Sequence, residues 1–325
     1  MRKTAVLPND WIIMSFSITR IAFVGLGTMG QPMAARLLDA DYEVVGYDQN
    51  PNALRELTER GALKARSAHE AAEHADLVIT MLPNGPHVQA ATSGADGALC
   101  AMRPGSLLVD MSTIDPETST EVCAEAAARG VRMLDAPVSG SSAGALDGTL
   151  TIMVGGPVDS LEAARPVLSV LGRRIVHCGP NGSGVAVKLA NQIMAGASMA
   201  AVAEGFVLAE RLGLDPRLLF EVASASSGNC WSLQTRPPVA GVLDTSPAEK
   251  GFAPGFMGAL MCKDLDLALA TARTNAVDLP LTRQARDLYA RMSAAGIGEL
   301  DFSAVFTVLR GSEADSGADS GDEMA

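Results

Sequence analysis

The sequence predicts an α/β protein, a doubly wound sheet domain that gives way to a long helix. Three observations carry that reading. Short apolar runs alternate with helical stretches from Thr19 to about Pro180, the signature of parallel strands joined by helical crossovers. The first of these strands feeds a glycine-rich turn, Gly25-Leu26-Gly27-Thr28-Met29-Gly30, that opens a helix. From Gly182 to Gly213 about thirty positions pass without a proline, rich in Ala, Met, Leu, Val and Glu, with Pro216 just beyond the closing glycine.

Taken in order, Ile21 to Val24 reads as a buried strand, and the helix after the turn runs to about Ala40. A second strand spans Glu43 to Tyr47 and ends on Asp48. A glycine turn between strand and helix, with an acid about twenty residues on, is the context that dinucleotide binding requires. Gly25 allows the tight turn, Gly27 lets the backbone approach a pyrophosphate, and Gly30 permits close packing of helix on strand. The helix amino end beyond Leu26, Thr28 and Met29 offers N–H donors and a positive dipole to the phosphates. Asp48 is placed to bond the ribose hydroxyls and to repel a 2′-phosphate, which favours NAD over NADP.

Further strands are predicted over Asp76–Leu82, breaking at Pro83-Asn84, and over Ser106–Asp110, ending in Met111-Ser112-Thr113. A helix from about Pro116 to Arg129 leads to a strand from Val131 to Asp135. Ligands of a doubly wound sheet bind outside the carboxyl ends of its strands, which is where Leu82, Pro83 and Thr113 fall. Asp135 to Gly148 is a loop crowded with small residues, in which Ser139, Gly140 and Ser141 offer hydroxyls and backbone N–H groups to an anion such as a carboxylate. Read alone it fits a flexible surface loop better than a binding loop. Strands over Thr149–Val154 and Arg174–Cys178 close this half.

The long helix is apolar on nearly every face, so it should lie between other elements. Lys188, Asn191 and Gln192 fall on one side of it. A lysine there is costly unless it is paired, snorkels outward, or is put to chemical use.

Composition excludes several classes. The 325 residues, 48% hydrophobic and 19% charged, suit a globular protein and favour two domains. A net charge of -12 argues against nucleic acid or an anionic membrane as partner, and no apolar run reads as long and uninterrupted enough to span a bilayer. Five scattered cysteines without a CxxC pair argue against a disulfide framework or a zinc site and fit a reducing compartment. Residues 1–18 read as an N-terminal arm, and the acidic stretch 311–325 reads as a disordered tail.

Six segments, FVGLGTMGQPMAARL, MLPNGPHV, DMSTIDPE, DAPVSGSSAGALDGTLTIMVGG, GSGVAVKLANQ and MCKDLDLALATA, occur in an order similar to that of the β-hydroxyacid dehydrogenases. The resemblance runs from about Thr19 to Arg310. SSGNCWS, PPVAGVL and DFSAVF bring the chain nearest to the 3-hydroxyisobutyrate branch of that family. It implies a Rossmann-like NAD-binding domain over 19–180 and an all-helical substrate and oligomerisation domain over 181–310, assembled as a homodimer or homotetramer. It implies that Lys188 is the catalytic lysine and that Asn191, with Gln192 beside it, positions substrate. Ser139, Gly140 and Ser141 would hold the substrate carboxylate. Leu82, Pro83, Thr113 and Lys263 would contact the cofactor, and no metal is implied.

The reaction implied is hydride transfer from a small 3-hydroxy acid to NAD, with no nucleic acid or membrane involved. The compartment would be the cytoplasm, or the mitochondrial matrix in a eukaryote. Two departures concern the acid. Ser141 stands where the branch has a second glycine, and Gln192 where it has a second asparagine. The Asn-Gln pair resembles the reductases of tartronate semialdehyde, which with succinate semialdehyde and glyoxylate are the rival substrates. A decarboxylating sugar-acid dehydrogenase and a non-catalytic dinucleotide module fit less well.

Overall fold

The computed structural model describes residues 18–311, so the expected arm and tail lie outside the described residues save for Ile18 and Gly311. Among the described residues nine strands form one sheet: β1 (Arg20–Val24), β2 (Glu43–Tyr47), β3 (Leu63–Lys64), β4 (Leu77–Thr80), β5 (Leu107–Asp110), β6 (Arg132–Asp135), β7 (Val138–Ser139), β8 (Thr151–Gly155) and β9 (Arg174–Gly179). Their order is β3-β2-β1-β4-β5-β6-β8-β7, with β9 paired to β8. The strands from β3 to β6 are all parallel. The chain steps outward from β1 to β3 and then returns to β4, which makes the gap between β1 and β4 the switch point of the sheet.

The helices that cross between these strands are α1 (Gly30–Asp39), α2 (Pro51–Glu59), α3 (Ala68–Ala72), α4 (Gly85–Thr92), α5 (Ala98–Ala101), α6 (Pro116–Ala128), α7 (Ser141–Asp147) and α8 (Val158–Leu171). Several starts have a local cause. Asn50, Ser67, Asn84 and Asp115 cap α2, α3, α4 and α6 through their side chains, and three of those helices place a proline in the first turn. Helices on both faces explain why β4 and β5 read as unbroken apolar runs and are buried throughout. One face packs against Met33, Leu37, Leu57, Leu161 and Leu168. The other packs against Val88, Leu99 and Val122 together with Val185, Leu189 and Ala268 from the helical half.

The segment expected as a loop up to Gly148 is in part ordered otherwise. β7 continues the line of β6 along β8, since Asp135 opposes Gly155, Val138 opposes Ile152 and Ser139 opposes Thr151 in one unbroken antiparallel register. Ser141–Asp147 then winds into α7, which ends on Gly148 at φ 65°.

Beyond β9 the fold is helical: α9 (Ser183–Arg211), α10 (Pro216–Ser224), α11 (Trp231–Thr235), α12 (Gly258–Thr274), α13 (Pro280–Ala294) and α14 (Val305–Gly311), with two short 3₁₀ turns. Helix α9 packs its Met199, Ala203 and Phe206 against Leu265 of α12, Tyr289 of α13, and Phe302 and Val305. By length and hydropathy it is apolar enough to cross a membrane, which corrects the expectation that no such run exists. Its buried residues, however, are covered by the sheet and by α12 and α13, the environment of a core helix.

Candidate active site

The glycine turn follows β1 at the switch point. Gly25 has φ 97°, open to glycine at little cost, and a Cβ on Gly30 would run into the Gly25 carbonyl oxygen. Gly27 meets nothing within 4 Å where a side chain would stand, so the backbone there is free to approach a ligand. Leu26 is buried beneath the turn, while Gly27 and Thr28 are exposed and Met29 is half-buried at the start of α1. Among the described residues no side chain caps α1, which leaves its amino end for an anion. The Asp48 carboxylate at the end of β2 accepts from Leu26 N–H and Asn50 N–H, both at 2.6 Å, and so ties the acid to the turn. These residues fit a dinucleotide.

At the ends of β4 and β5 a buried polar ladder shapes the next two turns. The Thr80 hydroxyl donates to Asp110 Oδ1 at 2.7 Å, Ser112 N–H donates to the same oxygen at 3.2 Å, and Leu82 N–H donates to Ser112 Oγ at 2.9 Å. Burial pushes the Asp110 carboxyl up, against the hydrogen bonds from Ser112 and Thr80. From α12, Lys263 Nζ reaches across and donates to the carbonyls of Pro83 at 3.0 Å and Thr113 at 2.9 Å. Leu82, Pro83, Thr113 and Lys263, far apart in sequence, thus form one cluster.

Lys188, Asn191 and Gln192 meet on the inner side of α9. Lys188 is only 4% exposed. Its Nζ donates to Gln192 Oε1 at 3.0 Å, and Asn191 Nδ2 donates to the same oxygen at 3.2 Å. Burial holds the Lys188 amine down to about 8; the Asp264 carboxylate works against that shift and the Lys263 ammonium adds to it. Snorkelling is excluded by that burial, and pairing takes the form of a neutral amide instead of a direct carboxylate.

Ser139 lies in β7, and Gly140 at φ 143° and Ser141 at φ 62° turn the chain into α7. Ser141 therefore holds a backbone conformation that glycine adopts more readily. The link from this loop to the lysine helix is Asp135, at the end of β6. Its buried carboxylate accepts from Gly182 N–H at 2.7 Å and Val185 N–H at 3.0 Å, capping the first turn of α9. Burial raises this carboxyl while those N–H groups oppose the rise. The backbone of one residue leads to Ser139 and its side chain seats the helix of Lys188.

Known proteins match both halves of the chain. Residues 20–179 match the NAD-binding domain of 6-phosphogluconate dehydrogenase, and residues 182–309 match the NAD-binding domain of NADP-dependent 3-hydroxyisobutyrate dehydrogenase. A Pseudomonas aeruginosa 3-hydroxyisobutyrate dehydrogenase is 45% identical over 298 residues, covering 91% of this chain and 100% of that protein. The chain belongs to the 3-hydroxyisobutyrate dehydrogenase family. Within that family the human mitochondrial enzyme is 42% identical over 91% of this chain and 88% of its own length. The solved structure of the Mycobacterium tuberculosis 3-hydroxyisobutyrate dehydrogenase with L-serine superposes with a TM-score of 0.85 at 46% identity, covering 90% of this chain and all of that one.

Two residues of the site escaped the sequence reading. Asp264, 2% exposed, accepts from Gln192 Nε2 at 2.7 Å, and Asp135 caps α9. A signal for the first existed. Met261, Leu265, Ala268 and Ala272 form an apolar stripe at helical spacing, and Asp264 lies within it. For Asp135 there was none, since its partners are backbone groups about fifty residues away.

Proposed function

We infer that the protein is an NAD-dependent dehydrogenase that oxidises 3-hydroxyisobutyrate to methylmalonate semialdehyde, a step of valine breakdown, with Lys188 as general acid and base. The observation that carries this reading is a buried lysine, held down to about 8, on a helix whose first turn is seated by Asp135, four residues before Ser139. NAD, when bound, supplies the hydride acceptor. Neutral Lys188 takes the proton of the substrate hydroxyl, and its ammonium form returns the proton in the reverse direction. Ser139, Gly140 and Ser141 offer hydroxyl and N–H donors to the carboxylate, and Asn191 holds the hydroxyl in register. Gly25 through Gly30 with Asp48 hold the dinucleotide, and Asp48 disfavours the 2′-phosphate of NADP. L-serine, named in the M. tuberculosis structure, is itself a 3-hydroxy acid, which supports this substrate pattern.

Residues 19–180 serve as the cofactor domain and 181–310 as the substrate and oligomerisation domain of a homodimer or homotetramer. The mitochondrial naming of the human relative beside bacterial ones supports a cytoplasmic location, or the matrix in a eukaryote. A second reading, a reductase of tartronate or succinate semialdehyde or of glyoxylate, is favoured by Gln192 and Ser141 alone.

Only the neutral amine accepts a proton, so kcat/KM for oxidation should rise with pH through about 8 and that for reduction should fall over the same interval. Lys188→Ala should lower oxidation of 3-hydroxyisobutyrate by roughly a thousand-fold or more while NAD affinity, followed by fluorescence, is kept. Near-normal turnover would remove the lysine from the chemistry. A panel of hydroxy acids and semialdehydes with NAD and NADP decides between the two substrate readings.

A further inference from the structure

Gln192 is occupied at both ends of its amide. Its oxygen accepts from Lys188 Nζ at 3.0 Å and Asn191 Nδ2 at 3.2 Å, and its nitrogen donates to Asp264 Oδ2 at 2.7 Å. Turning the amide over would set NH₂ against two donors and a carbonyl against a carboxylate. One orientation is therefore allowed, and Asp264 dictates it. The other oxygen of that acid, Oδ1, lies 3.0 Å from Lys263 Nζ, which in turn is bonded to the carbonyls of Pro83 and Thr113. The helices leave no slack here: a Cβ added to Gly196 of α9 would stand 3.1 Å from both Leu265 Cδ1 and Met261 Sδ of α12.

We propose that Asp264 is a positioning residue for Lys188: it locks the Gln192 amide with its carbonyl toward the lysine and joins that lysine to the Lys263 clamp on the cofactor turns. This rests on the reading of Lys188 as acid and base, and it explains the glutamine. Glutamine has one methylene more than the asparagine of the related pattern, and that length carries the amide from its own turn of α9 to a carboxylate on α12.

The two charges facing Lys188 are Asp264 and Lys263, and they act in opposite directions on it. The other buried ionisable groups on the elements packed against α9 have partners of their own, among them Arg236 at the end of α11, paired with Asp301. Asp135 of β6 is held on the N–H groups of the first turn, Tyr289 of α13 donates to the Gly196 carbonyl, and His177 of β9 donates to the Gly156 carbonyl. Arg310 of α14 pairs with Glu210, and Arg217 of α10 donates to the Gly241 carbonyl, both at the far end of α9. Cys123 of α6 is pushed up by burial and stays a neutral thiol.

The chain has five lysines, so selectively labelled lysine side chains give a spectrum in which Lys188 is assigned by its loss in Lys188→Met. Asp264→Asn keeps an oxygen for Gln192 Nε2 and removes the charge. Its Lys188 should titrate about one pH unit lower, a tenfold weaker hold on the proton, and the acid limb of the oxidation profile should move with it. Lys263→Met should move both upward by a similar amount. Asp264→Ala, which frees the amide, should lower kcat at least about ten-fold with KM for the hydroxy acid nearly unchanged. A merely structural acid would lower activity without opposite shifts in the two charge variants. A Lys188 resonance that titrates alike in wild type and in Asp264→Asn overturns the proposal. A resonance that shifts while the rate profile stays in place keeps the bridge and instead removes Lys188 from the proton transfer.

Discussion

Burying Lys188 makes the fold less stable at neutral pH than it would otherwise be. Its proton equilibrium lies near 8 in the folded chain against 10.5 for a free side chain. The unfolded chain therefore binds more protons between those values, so stability rises with pH from about 8 to about 10.5 and is flat below. A gap of about 2.5 pH units corresponds to about 3 kcal/mol, present in full as a penalty at pH 7. Lys188→Met removes the ammonium but leaves Gln192 and Asp264 with one partner fewer, which offsets part of the gain. The variant should be more stable than wild type at pH 7 by up to about 3 kcal/mol in urea titrations, with the difference closing as pH approaches 10.5. A difference that is negligible at pH 7, or constant across that range, would show that the lysine is not desolvated as described. Ser141 belongs to the same scale. Its substitution for glycine is plain in the sequence, but its φ of 62° is a property of the turn into α7 and could not be read there.

Among the elements, α9 is fixed by its first turn, and the reason is steric as well as polar. A Cβ on Gly184 would stand 2.8 Å from the Asp135 carbonyl oxygen, 2.9 Å from its Oδ2 and closer still to the Met153 carbonyl oxygen. The small residues that open this helix in the sequence thus let it seat against the ends of β6 and β8. Gly184→Ala should push the first turn outward, cost about 1–3 kcal/mol of stability and lower kcat at least ten-fold, because Lys188 lies one turn on. Gly205 of the same helix lies far from the first turn, on the face of Met194 and Leu208, and a methyl group there would meet nothing within 4 Å inside the chain, so Gly205→Ala should leave kcat unchanged. Equal behaviour of the two variants would mean that the amino end of α9 is not seated as described. The helix itself was legible because length, composition and flanking glycines all agreed. So were β1, β2, β4, β5 and β6, whose apolar runs are largely buried, whereas β3, two exposed residues, carries no such run. What could not be read was pairing at a distance: β7 as the continuation of β6 along β8, and the carboxylate of Asp135 under α9, both depend on which backbone groups arrive at that place.

At the scale of the molecule, α9 has one face with no partner among the described residues. Val187, Met194 and Leu208 project from it at steps of seven or fourteen residues, Met194 and Leu208 each 62% exposed, and Leu212, Leu214, Leu218 and Val222 extend the surface through α10. This face is why the helix has membrane-like hydropathy although its other side packs in a core. An apolar surface of this extent on a chain of net charge -12 calls for a specific covering, and in the homo-oligomer proposed above a second copy of the same helix would meet it with a self-complementary face. The long-range repulsion of like-charged subunits would then be overcome only where apolar area is buried, which limits association to this surface. Met194→Glu with Leu208→Glu places two charges in that contact, on a face of α9 turned away from the buried Lys188 and Gln192. In sedimentation velocity at micromolar concentration the wild-type chain should run as a dimer or tetramer and the double variant as a monomer. A wild-type chain that sediments as a 33.6 kDa monomer, or one that floats with added vesicles in place of associating with itself, would show that the face serves another purpose.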